Sequence, residues 1–249
     1  MNLRSSIGGA AEYVTTTPEQ LSLSPTTINL LHAAALPGVG ATAIIALRRK
    51  TELKKGERLL VRGASGGVGS IAVQIGSMLG AHVTALASAK HLTFLQEIGA
   101  DVVFDYSKTS PSELGEFDVI MDTVGTDLMY YRCLLTTKGR MVTIGFPSFA
   151  SFSYIVASAV FGSRRVRAFS ANPKTDLLKE LAGYVDSGDV KPIIDSIYPL
   201  YDIAWAHRSL EAWRWAWEAN HTNLKCTLTY SINSMRFYYY TNLLFITQK

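Results

Sequence analysis

Apolar and polar positions alternate along the middle of the chain in a way that predicts short strands separated by helices. The apolar run Leu59–Val61 precedes a glycine-dense turn, after which apolar residues recur at helical spacing from Val68 to Leu79. A second apolar run, His82–Ala87, follows Gly80. The pattern therefore predicts a strand, a tight turn, a helix and a second strand, which together form one βαβ unit.

The same alternation continues on both sides of this unit. Further strands are predicted at Val102–Phe104, Phe117–Val124, Arg140–Ile144 and Val166–Phe169, and helices at Thr26–Leu36, Ala41–Leu47, His91–Ile98, Leu128–Leu135, Asp176–Ser187 and Tyr201–Glu211. Short strands are also expected at Ala10–Val14 and Ile193–Ile197. Strands separated by helices give a parallel sheet covered on both faces. The predicted fold class is therefore α/β, a Rossmann-type doubly wound parallel sheet with helices on both faces.

The turn between the first predicted strand and helix has the composition of a phosphate-binding loop. It contains Gly63, Gly66, Gly67 and Gly69, and the strict G-x-G-x-x-G reading has Ala64 in its first position. Glycine permits positive φ and a close approach of the backbone to a phosphate, and a helix N-terminus attracts anions. The strand before and the helix after favour dinucleotide binding over a glycine-rich loop in some other βαβ protein.

The residues after the second predicted strand favour NADP over NAD as the cofactor. A fold that binds NAD usually has Asp or Glu at this strand end, where the carboxylate binds the ribose 2′-hydroxyl. Here the segment reads Ala-Ser-Ala-Lys-His over residues 87–91, and the first carboxylate is Glu97. Ser88 and Lys90 could hold a 2′-phosphate by a hydrogen bond and a point charge. The alternative is a surface lysine near a helix start, and the missing acid also argues against a methyltransferase.

Composition narrows the class of protein only modestly. The 249 residues carry a net charge of +4, and contents of 48% hydrophobic and 18% charged residues suit a globular protein of one large or two modest domains. No basic cluster indicates nucleic acid. Cys133 and Cys226 cannot supply a structural zinc site, so we expect no metal and a reducing, cytoplasmic location. Ile144–Gly162 is apolar but includes Pro147 and several serines, which favours buried structure or a cleft wall over a membrane span.

Ordered motifs between Gly8 and Glu211 resemble the medium-chain dehydrogenase/reductase superfamily, and most closely its zinc-independent quinone oxidoreductases. These motifs are GGAAEYV, AALPGVGATA, LKKGERLLV, GASGGVGSIAVQIGSMLGAHVTALAS, IGADVVFDY, FDVIMDTVG, KGRMVTIGF, VDSGDVKPIID and YPLYDIAWAHRSLE. The resemblance implies hydride transfer from NADPH to a small-molecule quinone, enone or related carbonyl. It implies no obligatory catalytic acid or base. A short-chain dehydrogenase is excluded because no tyrosine begins a Tyr-x-x-x-Lys pair.

The resemblance also implies which residues bind the NADP(H) cofactor. The threonine of the GxTA motif and the residues at two strand ends would lie near the nicotinamide, the glycine turn would hold the pyrophosphate, and a lysine and a tyrosine would surround the adenosine phosphate. The implied set is Thr42, Ala64, Ser65, Gly66, Gly67, Val68, Gly69, Ser88, Lys90, Tyr106, Thr123, Val124, Gly125, Gly145 and Phe146. Members of the family often pair through the edge of the nucleotide domain, so the resemblance also allows a homodimer.

The chain departs from the family pattern at its amino-terminal end. By the resemblance, residues 1–37 are the remnant of a GroES-like β domain, residues 38–172 form the NADP-binding domain, and residues 173–212 return to the first domain. Most of the GroES-like domain, which forms much of the substrate pocket in the family, is missing. Two functions therefore remain open at this point: an NADP-dependent oxidoreductase, or an inactive fragment that still binds the nucleotide.

Residues 213–249 form an atypical tail that is rich in tryptophan and tyrosine. Members of the family end instead with a glycine-rich turn, a Gly-Lys pair and an apolar strand. Because tryptophan is encoded only by TGG, reading Trp213–Glu218 one base later gives glycine for each tryptophan and then lysine. This pattern suggests a one-base frame slip near Ala212, and the alternative is a genuine aromatic tail that replaces the lost strand.

Overall fold

The computed structural model describes residues 16–145, 153–155, 158, 164–169, 171 and 174–210, together with the backbone of residues 244–246. The described residues belong to two compact units. The larger unit contains those between 17 and 193 and residues 244–246, and the smaller contains residue 16 and residues 194–210. The predicted strand at Ala10–Val14, the site residue Phe146 and nearly all of the tail lie outside the described residues.

A six-stranded parallel sheet forms the centre of the larger unit. Its strands are β2 (Arg58–Arg62), β3 (His82–Ala87), β4 (Val102–Asp105), β5 (Phe117–Asp122), β6 (Leu135–Thr143) and β7 (Val166–Ala168), arranged in the order β4-β3-β2-β5-β6-β7. The chain runs outward from β2 in one direction and then crosses back to β5 to continue in the other. This strand order confirms the predicted doubly wound sheet, and its switch point lies between β2 and β5.

Alternate residues of the strands supply two apolar layers, one on each face of the sheet. Leu59 and Val61 face one layer, which also contains residues of helix α3 (Gly67–Met78). Leu60 and Ile120 face the other layer. A parallel sheet buried on both faces needs apolar residues at consecutive positions, which explains the continuous apolar runs in the sequence.

The described residues also form other helices and short elements. They are the helices α1 (Leu30–Ala33), α2 (Pro37–Ile44), α4 (Leu92–Glu97), α5 (Leu128–Cys133) and α6 (Thr175–Asp186), a π-helix at Ile45–Lys50, and 3-10 turns at Pro18–Gln20, Ala89–His91, Pro111–Glu113 and Leu200–Asp202. Strand β1 (Leu21–Leu23) pairs in parallel with β8 (Leu244–Ile246) in a separate two-stranded sheet. Among the described residues, no helix has the length and apolar character needed to cross a membrane.

The predicted helix at Thr26–Leu36 is shorter in the structure, where α1 begins at Leu30. The backbone N–H groups of Thr26 and Thr27 donate to Oδ1 of Asp186, at 2.7 and 3.0 Å. These bonds hold the segment against α6, and Asn29 then caps α1 by accepting a bond from the N–H of His32 at 2.9 Å. The helix was predicted to begin too early because Asp186, which binds the backbone of Thr26 and Thr27, lies far from them in the sequence.

Two further elements differ from the sequence prediction. The helix predicted at Ala41–Leu47 begins earlier in the structure, because Pro37 is the first residue of α2, a position where its missing N–H costs nothing. Residues 193–197, predicted as a strand, have no strand structure, although residues 203–210 are helical as expected. An apolar, β-branched run becomes a strand only when another strand pairs with it, and pairing is not visible in the run itself.

Candidate functional site

The predicted site residues follow the carboxyl ends of neighbouring strands. Gly63 follows β2, Ser88 follows β3, Tyr106 follows β4, Thr123 follows β5 and residues 144–145 follow β6. Because all these strands are parallel, their carboxyl ends lie along the same edge of the sheet. Open α/β sheets bind ligands at this edge, where the strand order reverses.

The glycine turn is closely packed between β2 and α3. Gly63 has a φ of +72°, a conformation that favours glycine. Its carbonyl accepts a hydrogen bond from the N–H of Gly66 at 3.1 Å. A Cβ on Gly69 would lie 2.2 Å from the Gly63 oxygen, so only glycine allows the first turn of α3 to pack this closely. The half-buried Ser65 and the buried Ala64 complete the turn.

The start of α3 presents open backbone donors. Gly66 is the N-cap residue and has no side chain with which to cap the helix. The first bond of this turn runs from the N–H of Ser70 to the Gly66 carbonyl at 2.8 Å. Within the described part of the chain, the N–H groups of Gly67, Val68 and Gly69 have no acceptor. Three free donors at the positive end of a helix dipole, beside exposed glycines, form a cradle that fits a phosphate group.

Helix α2 forms one side of this cradle. A Cβ on Gly67 would lie 3.0 Å from Cγ1 of Val39, so the side chain of Val39 contacts the turn. Thr42 lies one helical turn further along α2, is half-buried, and donates its hydroxyl to the carbonyl of Gly38 at 2.7 Å. The hydroxyl oxygen of Thr42 keeps a lone pair that can accept a bond from a ligand.

The carboxyl end of β5 is tied to the glycine turn. The hydroxyl of Thr123 donates to the carbonyl of Arg62 at 2.9 Å, and the N–H of Thr123 donates to the same oxygen at 3.2 Å. A Cβ on Gly63 would lie 2.3 Å from the Thr123 hydroxyl oxygen, so the two strand ends are in direct contact. The half-exposed Val124 follows. The proposed contact of Thr123 and Val124 with a nicotinamide stays a prediction.

The ends of β5 and β6 also approach each other closely. Gly125 has a φ of +84°, and a Cβ on it would lie 2.1 Å from the carbonyl oxygen of Gly145. That oxygen accepts a hydrogen bond from the buried hydroxyl of Thr143 at 2.9 Å. Any side chain larger than a hydrogen atom at Gly125 would therefore push the two strand ends apart.

The ends of β3 and β4 form the other half of the candidate site. Ser88 precedes the 3-10 turn that carries the exposed Lys90, and the N–H of Tyr106 donates to the carbonyl of Ala87 at 3.0 Å. Asp105 accepts bonds from the N–H and hydroxyl of Ser107 at 3.0 and 2.8 Å, and the backbone bond is the main cause that lowers its pKa. Burial, followed by the charge of Asp105, raises the pKa of Tyr106.

Arg62 and Asp122 are buried beside this edge, and the sequence reading missed both. The exposed fraction of the side chain is 10% for Arg62 and 0% for Asp122, and their charged groups lie 3.5 Å apart. Burial raises the pKa of Asp122, while Arg62 and the N–H groups of Val124 and Gly125 oppose that shift. The available signal was a charged residue directly after an apolar run of three residues in each strand, Arg62 in LLVR and Asp122 in VIMD.

Together, the strand order and the glycine turn at the switch point define an α/β protein of the Rossmann class. Among the described residues, no three His, Cys, Asp or Glu side chains are grouped as metal ligands would be.

Comparisons with known proteins agree with this class. A family model described as zinc-binding dehydrogenase matches residues 98–214. The chain is 32% identical over 212 residues to the chloroplast envelope quinone oxidoreductase homolog of Arabidopsis thaliana, covering 80% of this chain and 64% of that protein. It is 32% identical to the chloroplastic NADPH-dependent alkenal/one oxidoreductase of the same plant, covering 82% of this chain and 50% of that protein.

The fold of this chain is also similar to that of a solved quinone oxidoreductase. The quinone oxidoreductase from Coxiella burnetii superimposes with a TM-score of 0.68 at 26% identity, over 75% of this chain and 59% of that chain. The chain is similar to quinone oxidoreductase-like members of the medium-chain dehydrogenase/reductase superfamily. It spans less than two thirds of the length of these relatives.

Proposed function

We propose that this protein binds NADP(H) at the carboxyl edge of its sheet and transfers hydride from NADPH to a quinone, an enone or a related carbonyl compound. The observation that carries the proposal is the cradle formed by the N–H groups of Gly67, Val68 and Gly69, which have no acceptor among the residues that the structure describes. A pyrophosphate is the ligand that such a cradle suits best at a switch point. Two of the relatives reported above are named as quinone and alkenal/one oxidoreductases, which supports the substrate class.

The choice of NADP over NAD rests on the strand end after β3. The 3-10 turn there carries the exposed Lys90 and follows Ser88, and no carboxylate occupies residues 87–91. A lysine favours a 2′-phosphate, whereas a carboxylate would favour a free 2′-hydroxyl and repel a phosphate. The alkenal/one oxidoreductase to which the chain is similar is described as NADPH-dependent.

In this proposal the bound cofactor supplies the hydride, and the residues of the chain orient it. The helix N-terminus neutralises the pyrophosphate, and Ser88, Lys90 and Tyr106 surround the adenosine phosphate. Thr42 accepts a hydrogen bond on the α2 side. The wall beside the nicotinamide is formed by Thr123, Val124, Gly125 and Gly145. Hydride transfer then depends on how closely the donor carbon and the substrate are held together, rather than on a protein acid or base.

The test is an equilibrium titration of the protein with NADPH, followed by a turnover assay with a model quinone. Gly66→Asp should raise the dissociation constant of NADPH at least about tenfold, because its carboxylate would repel the pyrophosphate. Gly66 has an ordinary negative φ, and a Cβ there would lie 3.4 Å from its nearest neighbour, so the backbone tolerates the change. Gly66→Ala, which adds the Cβ without the charge, is the matched control and should bind NADPH nearly as wild type does.

The outcomes of this test separate the cofactor from the reaction. Unchanged affinity in Gly66→Asp would overturn the assignment of the pyrophosphate site. Tight NADPH binding without turnover of any quinone or enone would support the nucleotide site and contradict the proposed reaction.

A further inference from the structure

Two oppositely charged residues, Arg62 and Asp122, lie at the carboxyl ends of β2 and β5 on one face of the sheet. Leu60 lies opposite Ile120 in the strand register, and two residues later Arg62 lies opposite Asp122. The first pair belongs to the apolar layer on that face, and the second follows it on the same face because side chains alternate along a strand. The change from an apolar to a charged pair occurs at the last residue of each strand.

The guanidinium of Arg62 is held on several sides. It lies 4.1 Å from the ring centroid of Tyr131, donates to the Thr126 hydroxyl at 2.8 Å and also donates to the Thr126 carbonyl. Its distance to the carboxylate of Asp127 is 3.6 Å. Arg62 is the last residue before the glycine turn, and its side chain connects the end of β2 to the segment that follows β5.

The carboxylate of Asp122 binds the backbone directly after β5. Its Oδ1 accepts hydrogen bonds from the N–H of Val124 at 2.8 Å and of Gly125 at 3.2 Å. Its Oδ2 also accepts from Gly125 at 3.2 Å. The backbone of Thr123–Gly125 is thus folded around this carboxylate, directly beside Gly63.

Stability alone does not require charges at these two positions. Removing a carboxylate and a guanidinium from water is costly, and an apolar pair of similar volume is often as stable or more stable than a buried ion pair. Leu60 and Ile120 show that the same two strands accept an apolar pair. The charged pair, in contrast, can bind the N–H groups of the Thr123–Gly125 turn and fix its backbone.

We propose that Arg62 and Asp122 are positioning residues that set the Thr123–Gly125 turn in the conformation required beside the nicotinamide half of the cofactor. This inference rests on the proposed function, because it assumes that NADPH lies along this edge. Arg62 and Asp122 act only through the turn and touch neither cofactor nor substrate.

The double variant R62L/D122L tests the proposal with two ligands. We expect its dissociation constant for NADPH to rise about tenfold, the equivalent of one or two lost hydrogen bonds. The fragment 2′,5′-ADP has no nicotinamide half and does not reach the turn after β5, so its affinity should change less than about threefold. A general loss of folding would weaken both ligands together, which a positioning role would not.

The matched control is the ion pair between Glu57 and Arg140, at the opposite end of the same sheet. Nη1 and Nη2 of Arg140 lie 2.9 and 2.7 Å from the two oxygens of Glu57. E57L/R140L also removes one carboxylate and one guanidinium. It should leave the affinities for NADPH and for 2′,5′-ADP unchanged. If R62L/D122L does not fold, Asp122→Asn replaces it, because Asn keeps an oxygen for the turn but loses the charge, and we expect the same selective loss at smaller size.

Each outcome has a defined meaning. Failure of the wild-type protein to bind NADPH would overturn the proposed function and this inference with it. Wild-type binding of NADPH, together with equal NADPH affinity in R62L/D122L or in Asp122→Asn, would overturn the positioning role alone. A parallel loss of NADPH and 2′,5′-ADP affinity would also contradict it.

Discussion

At the scale of single residues, two glycines and one pair of buried charges shape the turn after β2. Gly63 and Gly69 occupy positions where a Cβ would meet Thr123 or the Gly63 carbonyl, so their identity follows from local geometry that the motif encodes. Arg62 and Asp122 meet across two neighbouring strands, β2 and β5, which are separated in the sequence by α3, β3, α4 and β4. A pattern of residues along one strand does not reveal its partner across the sheet, so this pair became visible only in the fold.

The preference for NADPH should depend on the side chain of Lys90. Lys90→Ala removes the point charge proposed to hold the 2′-phosphate and should raise the dissociation constant of NADPH about tenfold. Affinity for NADH, which lacks that phosphate, should not change. Titration of the variant with both nucleotides gives the two constants.

Lys54 offers a control of equal charge. It is exposed before β2, at the amino end of the sheet. Lys54→Ala should leave both affinities as they are in the wild type. If Lys90→Ala weakened NADH as much as NADPH, the role of Lys90 in binding the 2′-phosphate would be contradicted.

At the scale of elements, the structure agrees best with the predictions for segments whose apolar pattern and flanking turn residues are clear in the sequence. Segments that depend on distant contacts were predicted wrongly. β3 runs from His82 to Ala87 as predicted, since its apolar run and flanking glycine are both local signals. The Thr26–Leu36 helix and the Ile193–Ile197 strand failed for non-local reasons. In the first case Asp186 binds the backbone that would have started the helix. In the second, none of the described strands pairs with the run.

Two glycine-to-alanine changes in helices of equal length should have opposite effects on stability. Gly69→Ala in α3 places a Cβ 2.2 Å from a backbone oxygen and should lower the free energy of unfolding by about 1–3 kcal/mol. Gly183→Ala in α6 meets nothing within 4 Å and should raise it by about 0.5–1 kcal/mol, because glycine is a poor helix former. Urea unfolding of both variants measures the two values. Equal stability of the two would mean that α3 does not pack tightly against the turn.

At the scale of the whole molecule, the ion pair of Glu57 with Arg140 should make stability depend on pH. Burial tends to raise the pKa of Glu57, but the hydrogen bonds and charge of Arg140 outweigh it, and the pKa is lowered. A carboxyl whose pKa is lower in the folded state stabilises the protein above its unfolded pKa, and this contribution is lost as pH falls through the folded value. The unfolded pKa of a glutamate is about 4.3.

Glu57→Gln should therefore cost about 1–2 kcal/mol of unfolding free energy near neutral pH. The difference from wild type should shrink once the pH falls below about 4. Urea unfolding of both proteins across this range checks the trend. A difference that stayed constant down to the lowest pH would show that the charge of Glu57 contributes nothing.

The sequence predicted the fold class, whereas the order of the six strands is known only from the structure. The fold class followed from the alternation of strands and helices, and membership of the superfamily is supported by relatives that match about four fifths of this chain. The chemistry of the whole protein depends on more than the described sheet, since those relatives are longer than the matched region.

The most direct test of the central claim is a crystal structure of this protein with NADP⁺. The account predicts that pyrophosphate oxygens lie about 3 Å from the backbone nitrogens of Gly67, Val68 and Gly69, with the 2′-phosphate beside Lys90. A nucleotide bound elsewhere, or a glycine turn that remains without contact to phosphate at saturating NADP⁺, would contradict it.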